Sequence, residues 1–248
     1  SGDKKLRVVP SAERMKEVRA TMDKINKDFG AGTVMLFGEK PDTEYQTISS
    51  GSLLLDNALG IGGFPRGRIV EIYGPESSGK TTLAIHTIAQ AQANGGLCAV
   101  IDAEHAFDRE YAIKLGMDMS KVMISQPDNG EQAFEIALMM VESGKVSLLI
   151  IDSVTALVPQ VIIEGDMDQA HMGVHARLMS KGLSKIVAGA NKTETTVIFT
   201  NQLRSKIGVV YGNPEITTGG NAMKFYASIR VDMRASKGNE VDGERMDS

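Results

Sequence analysis

A glycine-rich turn between a short apolar run and a segment of helical periodicity is the feature that most constrains this chain. Residues 74–82 read Gly-Pro-Glu-Ser-Ser-Gly-Lys-Thr-Thr; residues 69–73 are typical of a β-strand, and the helical spacing continues to about Ala93. Such a turn points backbone N–H groups and the positive end of a helix dipole at one spot. Because strand, turn, Lys-Thr pair and helix agree, we interpret residues 74–82 as a phosphate-binding loop rather than a chance turn.

The side chains of this phosphate-binding loop predict how a nucleoside triphosphate is held. Lys80 is expected to reach the β- and γ-phosphates, and the Thr81 hydroxyl is expected to ligate Mg²⁺. The nucleotide-binding residues predicted in the loop are Gly74, Pro75, Glu76, Ser77, Ser78, Gly79, Lys80, Thr81 and Thr82.

Composition narrows the class of protein. The chain has 248 residues, 42% of them hydrophobic, and a net charge of −4, which suits one α/β domain with a small appendage. This charge excludes a uniformly basic coat but not a local anion-binding groove. Cys98 is the only cysteine, so no disulfide forms within the chain. No apolar stretch reaches membrane-spanning length and the polar start is unlike a signal peptide, so we expect a cytoplasmic protein without membrane contact.

From residue 69 onward, strand-like and helix-like runs alternate. This rhythm predicts an α/β fold with a mostly parallel twisted sheet and helices on both faces. In such sheets, ligands bind beyond the carboxyl ends of the strands. The predicted strands are 69–73, 97–102, 121–125, 147–152, 195–201 and 225–233, and the predicted helices are 81–93, 109–115, 130–142 and 171–189.

Two long segments interrupt the alternation. Residues 156–170 and 203–220 are rich in Gly, Pro, Asn, Asp and Thr, and each follows a strand whose end is expected to face the nucleotide. Long connections without regular structure are uncommon in a compact domain unless they are functional or disordered. We therefore expect these segments to bind a ligand.

An amphipathic helix is predicted at residues 11–29. Its apolar stripe consists of Met15, Val18, Met22, Ile25 and Phe29. Ser11 is a plausible N-cap and Gly30 a natural stop. The stripe either packs on its own domain or docks on a neighbouring copy, and the residues alone do not decide between the two.

Polar residues at strand ends predict the catalytic groups. Asp152 closes the apolar run 148–151 and is expected to hold Mg²⁺ through water, with a helix or turn cap as the alternative. Glu104 follows the neighbouring strand and is favoured over Asp102 as the base that activates water. Gln202 ends another strand, and its neutral amide is suited to sensing the γ-phosphate.

A basic face lies in the second half of the chain. Arg177, Lys181 and Lys185 are spaced i, i+4 and i+8, and Arg204 and Lys206 follow on a loop. Together they can track a phosphodiester backbone, while an ordinary solvated helix face is the alternative. The His171–His175 pair lacks a third ligand at convincing spacing, so we expect no structural metal.

These motifs together resemble the bacterial RecA recombinase family over most of residues 11–234. The matching stretches are 47–53, 67–82, 101–108, 125–128, 150–154, 164–165, 171–173, 201–208 and 212–228. The resemblance implies a protein that polymerises on single-stranded DNA as a helical filament, binds ATP between protomers, and pairs and exchanges strands with double-stranded DNA in recombination and repair. A self-cleaving repressor of the SOS response is a further partner that it implies.

The resemblance also implies a role for individual residues. Glu104, Lys80 and Gln202 match catalytic positions, Thr81 and Asp152 match the Mg²⁺ site, and Asp108 and Tyr111 match positions near the adenine. Met172 and Ile207 match side chains that wedge between nucleotide triplets. The remaining implied DNA-binding residues are Gly173, Arg177, Ser180, Arg204, Lys206, Gly208, Gly219 and Gly220, and the implied protomer-interface residues are Met15, Val18, Met22, Ile25, Lys224 and Phe225.

The implied organisation has three parts. Residues 1–32 form an oligomerisation segment, residues 33–234 form the ATPase core with DNA-binding loops at about 156–171 and 203–217, and residues 235–248 form a polar tail. In the family, the tail position begins a strand whose lysines reach the neighbour's ATP, followed by a C-terminal domain. We therefore expect a truncated recombinase core with reduced DNA-dependent ATPase activity. The alternative is a nucleotide-binding self-assembly module without effective strand exchange.

Two positions depart from the family pattern. Ser184 stands where relatives usually carry a basic residue that contacts DNA, and His175 replaces a small residue beside the DNA-facing helix. The first departure predicts the loss of one phosphate contact.

Overall fold

The computed structural model describes residues 12–30, 33–34, 36, 46–165, 172–205, 215–234, 240–241 and 244–245. The chain divides into two units, residues 1–44 and residues 45–248. The predicted N-cap Ser11, together with His171, Lys206, Ile207, Gly208 and most of the polar tail, lies outside the described residues.

The first unit contains the predicted amphipathic helix, α1, at Ala12–Phe29. Gly30 ends it with φ 110°, and its N–H donates to the Asn26 carbonyl oxygen over 3.0 Å. The Asn26 side chain then pairs with both backbone groups of Val34, over 3.0 and 3.1 Å. None of the described α1 residues is buried, and Val18 and Phe29 are 42% and 77% exposed. Within the described residues, the apolar stripe is therefore only partly buried: Met15, Met22 and Ile25 are half-buried.

The second unit alternates strands and helices along the chain. Its strands are β1 (Thr47–Ile48), β2 (Phe64–Pro65), β3 (Ile69–Gly74), β4 (Leu97–Asp102), β5 (Val122–Ser125), β6 (Val146–Asp152), β7 (Thr196–Ser205), β8 (Glu215–Thr217), β9 (Ile229–Asp232), β10 (Glu240–Val241) and β11 (Glu244–Arg245). Its helices are α2 (Leu53–Leu59), α3 (Lys80–Ala93), α4 (Arg109–Lys114), α5 (Gly130–Glu142), α6 (Gln160–Glu164), α7 (Met172–Thr193) and α8 (Ala222–Tyr226). Short 3₁₀ turns lie at Met119–Lys121 and Val154–Ala156.

The central sheet has the order β5-β4-β6-β7-β3-β9, and each neighbouring pair is parallel. β8 pairs antiparallel with the last residues of β7. Parallel pairing puts the carboxyl ends of the strands, and the polar residues that follow them, along one edge of the sheet. The predicted α/β class with a mostly parallel sheet is confirmed.

Two apolar layers cover the faces of this sheet. Successive strand residues point to opposite faces, so Ile101, Leu149 and Phe199 pack with residues of α5 and α7. The adjacent residues Val100, Ile150 and Ile198 pack on the other face with residues of α3. This explains why the central strands read as continuous apolar runs rather than alternating ones.

Some predicted elements were wrong. Phe225 was expected in a strand spanning 225–233 but lies in helix α8, and the strand is only Ile229–Asp232. Aromatic residues favour strands, so the pair 225–226 was assigned to the strand. In the structure the burial of Ala222 and Met223 decides the local structure, and the pair lies in α8. Residues 156–170 were expected to be irregular, yet they include α6. The sequence prediction also omitted α2, which Ser52 caps by accepting a hydrogen bond from the Leu55 N–H.

Candidate functional site

The phosphate-binding loop connects β3 to α3 at the carboxyl edge of the sheet. β3 ends at Gly74, and Gly79 caps α3 in the left-handed region, with φ 92°. Ser77 also has a positive φ of 57°. The first N–H groups of a helix lack intrahelical acceptors, so the start of α3 offers donors and a positive dipole end to an anion.

Lys80 folds back over this loop. Its Nζ donates to the Gly74 carbonyl oxygen over 3.1 Å and to the Pro75 carbonyl oxygen over 2.5 Å. Burial lowers the pKa of Lys80, while the nearby carboxylates of Asp152, Glu104 and Glu76 act to raise it. The ammonium group is thus held at the mouth of the loop among carboxylates.

The loop residues fit a triphosphate. Ser78 Oγ is buried and has no hydrogen-bond partner among the described residues, and a hydroxyl in that state is suited to donate to a phosphate oxygen. A Cβ on Gly74 would overlap the Met233 carbonyl oxygen and lie 2.8 Å from Ser78 Oγ. Glycine at position 74 is therefore required by the close approach of Met233, the residue that follows β9.

Asp152 gathers hydroxyl groups from two elements. Its carboxylate accepts hydrogen bonds from Thr81 Oγ1 over 3.1 Å and from Thr200 Oγ1 over 2.6 Å. Burial raises the pKa of Asp152; the Thr200 and Thr81 hydroxyls oppose this, and the charges of Glu104 and Asp102 add to it. The sequence analysis did not identify Thr200, although it directly precedes the strand-end pair 201–202 that was identified.

This cluster of hard oxygen ligands suits Mg²⁺, which usually keeps several waters and is bound through one or two carboxylates and substrate phosphates. Among the described residues, no group of three or more His, Cys, Asp or Glu side chains could hold a metal. A closed cage of protein ligands is therefore not present in that part of the chain. Thr81 and Asp152 are the residues that fit a magnesium ion.

The structure separates the two candidate bases. Asp102 is only 3% exposed, and its carboxylate accepts hydrogen bonds from the N–H groups of Ala106 and Phe107 and from Gln126 Nε2, over 3.2, 3.1 and 2.9 Å. Glu104 is exposed and accepts a hydrogen bond from the Ser153 hydroxyl. Asp102 therefore organises the loop that carries Glu104, and Glu104 presents its carboxylate at the mouth of the site.

Gln202 lies beside the start of the phosphate-binding loop, because it is the register partner of Gly74 across β3 and β7. The Gln202 N–H donates to Asn201 Oδ1 over 2.9 Å. Asn201 in turn donates to Glu71 Oε1 over 3.0 Å and to the Thr218 carbonyl oxygen over 2.9 Å. The sequence analysis missed Glu71, which carries no local signal of its pairing.

The two residues predicted near the adenine adjoin the end of the loop. Asp108 caps α4 by accepting a hydrogen bond from the Tyr111 N–H over 2.9 Å. The Tyr111 hydroxyl lies 2.9 Å from Thr82 Oγ1, and the side chain is 41% exposed. The ring is thus available beside the phosphate-binding loop.

The predicted basic face lies on the solvent side of α7. Arg177, Lys181 and Lys185 are exposed, as are Gly173 and Ser180, while the opposite side of the helix is buried in the core. Gly220 packs against this helix, since a Cβ added there would lie 3.3 Å from Ala176 Cβ. Met172 begins α7 and Arg204 lies in β7, but their side chains are outside the described set.

Comparison with known proteins identifies the family. The RecA N-terminal domain family matches residues 16–247. The chain is 58% identical to Protein RecA of Bacteroides thetaiotaomicron over 238 residues, which cover 94% of this chain and 72% of that protein. It is 56% identical over 234 residues to Protein RecA of Desulforapulum autotrophicum, covering 94% and 67%, and 55% identical over 245 residues to Protein RecA of Porphyromonas gingivalis, covering 97% and 72%.

The chain belongs to the RecA N-terminal domain family. The predicted family is thereby confirmed, and the chain is a RecA-family recombinase. The family consists of DNA-dependent ATPases that act in recombination and repair, use a nucleotide with magnesium, and form homo-oligomers on DNA.

The residues predicted for contacts between RecA-family protomers are exposed or half-buried. Phe225 is 86% exposed, and the neighbouring Lys224 is exposed as well. In α1, Met15, Met22 and Ile25 are half-buried and Val18 is exposed.

No helix in the described part of the chain is both long and apolar enough to cross a membrane.

Proposed function

We propose that this chain is an ATP-dependent recombinase that binds single-stranded DNA as a helical filament and pairs it with homologous double-stranded DNA. The observation that carries the proposal is the convergence of Lys80, Thr81, Asp152 and Glu104 at the carboxyl edge of the sheet, where β6 and β7 lead toward the two predicted DNA-binding segments. Nucleotide chemistry and the DNA-binding segments thus share one edge of one sheet.

In this proposal, ATP places its phosphates on the loop 74–82. Lys80 balances charge on the β- and γ-phosphates, and the buried Ser78 hydroxyl donates to a phosphate oxygen. Mg²⁺, held by Thr81 and through water by Asp152, would neutralise charge on the β- and γ-phosphate oxygens. Asp108 and Tyr111 are the residues proposed to contact the adenine.

Glu104 is the proposed catalytic base. It orients a water molecule and accepts its proton as the water oxygen bonds to the γ-phosphorus and the bond to the β–γ bridging oxygen breaks, which yields ADP and phosphate. The Ser153 hydroxyl holds the Glu104 carboxylate in place. Asp102 is unsuited to this role because backbone and amide donors occupy its oxygens. Gln202, beside Gly74, senses the γ-phosphate through its amide.

The proposed DNA surface consists of the exposed face of α7 and the two loops at about 156–171 and 203–217. Met172 and Ile207 wedge between nucleotide triplets. The other DNA-binding residues proposed are Gly173, Arg177, Ser180, Arg204, Lys206, Gly208, Gly219 and Gly220. The partly exposed stripe of α1 docks on the adjacent protomer, and Lys224 and Phe225 contribute to the same assembly. A self-cleaving repressor is a proposed partner of the filament.

Single-stranded-DNA-dependent ATP hydrolysis tests this proposal. Lys80→Ala is expected to abolish both nucleotide binding and hydrolysis, because it removes the charge that faces the phosphates. Glu104→Gln is expected to keep nucleotide binding and to lose at least about a hundredfold in turnover. Glu135→Gln, an exposed carboxylate on α5, is the matched control and should turn over like the wild type. Wild-type turnover by Glu104→Gln would refute the assigned base.

The partly exposed α1 stripe suits assembly in either of two candidates, and the second candidate is a nucleotide-binding module that assembles without effective strand exchange. Electron microscopy with ATP and single-stranded DNA, followed by a strand-exchange assay, separates the two candidates. Filaments that exchange strands would support the recombinase. Filaments that form but exchange no strands would support the self-assembly module. The reduced turnover expected from the sequence stays a prediction, to be measured against a longer relative.

A further inference from the structure

The start of the first predicted DNA-binding loop contacts the end of the second. The first loop leaves β6 through Val154 and Thr155, and the second returns to the core through Thr218 and Gly219. Thr155 Oγ1 donates to Thr218 Oγ1 over 3.3 Å. A Cβ added to Gly219, whose φ is 94°, would lie 3.0 Å from Val154 Cγ1. We call Val154 and Thr155 the first loop base and Thr218 and Gly219 the second loop base, and we refer to the two together as the loop bases.

His175 joins these loop bases to helix α7. Its ring Nε2 donates to the Val154 carbonyl oxygen over 3.2 Å. The ring also adjoins the second loop base, because a Cβ added to Gly219 would lie 3.7 Å from His175 Cε1. Burial lowers the pKa of His175, although backbone hydrogen bonds to Val154 and Leu157 oppose this. At neutral pH the ring is therefore an uncharged donor rather than a charge offered to a phosphate.

The loop bases are anchored on the core. Val154 is fully buried. Asn201, also fully buried, donates to the Thr218 carbonyl oxygen and to Glu71 on β3, the strand that leads into the phosphate-binding loop. Thr155 and His175 therefore complete a connected path from β3, through β7 and both loop bases, to the helix with the basic face.

We infer that His175 and Thr155 are positioning residues, which hold the two loop bases and the start of α7 in one fixed arrangement. In consequence, the two loops and the basic face of α7 engage a DNA strand as a unit rather than independently. The role in DNA engagement rests on the proposed function, whereas the linkage between the loop bases does not.

Hydrogen exchange without DNA tests the linkage itself. His175→Ala and Thr155→Val each remove one hydrogen bond, so we expect exchange of the amides at 215–220 and at 154–158 to accelerate about two- to tenfold. His175→Gln keeps an amide donor and is expected to restore protection. Thr193→Val is the matched control, because it removes a threonine–threonine contact of 2.9 Å at the far end of the same helix.

Two outcomes would overturn the linkage. If His175→Ala leaves exchange at 215–220 unchanged, the second loop base does not depend on α7. If exchange accelerates equally throughout the chain, His175 contributes to global stability and holds no local arrangement. Acceleration confined to the two loop bases supports the inference.

The consequence for DNA binding is measured with a labelled single-stranded oligonucleotide and a non-hydrolysable ATP analogue across a salt series. His175→Ala is expected to weaken binding about two- to tenfold at every salt concentration, with an unchanged salt slope, because no phosphate contact is removed. A slope reduced by about one would show that His175 contacts a phosphate, and would overturn the positioning role. If the wild type does not bind the oligonucleotide, the proposed function fails, while the exchange result still decides the linkage.

Discussion

An ion pair between the fully buried Glu71 and Arg230, whose side chain is 27% exposed, yields the sharpest stability prediction. Glu71 is fully buried on β3, and its Oε2 lies 2.5 Å from Nε of Arg230, its register partner on β9. Asn201 donates to the other Glu71 oxygen over 3.0 Å. The Arg230 guanidinium also lies 4.6 Å from the centre of the Tyr73 ring.

Arg230→Met is expected to leave the Glu71 carboxylate buried without its cation. Removing one partner of a buried pair costs about 3–5 kcal/mol. For a chain of this size, each kcal/mol lowers the thermal midpoint by about 2–4 °C, so the expected fall is about 6–20 °C. The double variant Glu71→Gln/Arg230→Met removes both charges and is expected to recover most of this loss.

Arg234→Met provides the matched control at the end of the same strand. Arg234 forms a pair with Asp232 over 2.7 Å, but their side chains are 45% and 40% exposed. Exposed pairs contribute about 0–1 kcal/mol, so the expected fall is below about 4 °C. Thermal and urea denaturation followed by circular dichroism, without nucleotide, measures all of these variants. If Arg230→Met is no less stable than Arg234→Met, or the double variant is no more stable than Arg230→Met alone, the reasoning is refuted.

Three further predictions concern the site and its surroundings. Burial and neighbouring carboxylates raise the pKa of Asp152, so the native state resists ionisation of this group and loses stability as pH rises through the shifted pKa. In differential scanning fluorimetry, Asp152→Asn should therefore raise the thermal midpoint by a few degrees, about 2–4 °C per kcal/mol, and abolish stabilisation by ATP with Mg²⁺. A lower thermal midpoint would contradict this prediction. Gly74→Ala should lower the free energy of unfolding by about 1–3 kcal/mol and weaken nucleotide binding, because the added Cβ overlaps the Met233 carbonyl oxygen. Gly173→Ala is the control and should bind nucleotide normally, because a Cβ there meets nothing within 4 Å. Equal nucleotide affinities of the two variants would be evidence against this packing. Burial lowers the pKa of His175 from the ordinary value of 6.5, so the unfolded state binds more protons than the native state near that pH. Stability should therefore fall as pH drops from about 7 toward the lowered pKa. His175→Gln should flatten this part of the stability profile, and an unchanged slope would exclude His175 as the cause of the pH dependence.

Much of the fold followed from local patterns. β4 and α5 have the predicted bounds, because their apolar runs are flanked by turn residues and caps that act over a few positions. Predictions failed where packing overrode propensity: the aromatic pair at 225–226 lies in α8, since the burial of Ala222 and Met223 is decided by distant strands.

The choice between carboxylates required the structure. From the sequence, Asp102 and Glu104 were competing bases two residues apart. The structure separates them because donors from the following loop and from Gln126 occupy the Asp102 carboxylate, while Glu104 remains exposed. No pattern around either residue carries that information, since Gln126 lies on a different strand end.

By itself, the sequence predicted the chemistry of residues 74–82, because the spacing of Gly74, Gly79, Lys80 and Thr81 acts within one strand–turn–helix unit and needs no distant contact. Only the tertiary structure decided which groups support that loop. Glu71 contacts Asn201 and Arg230 from 130 and 159 residues away along the chain, and His175 contacts Val154 from 21 residues away. Such pairings depend on strand register and helix packing, which the order of residues along the chain does not display.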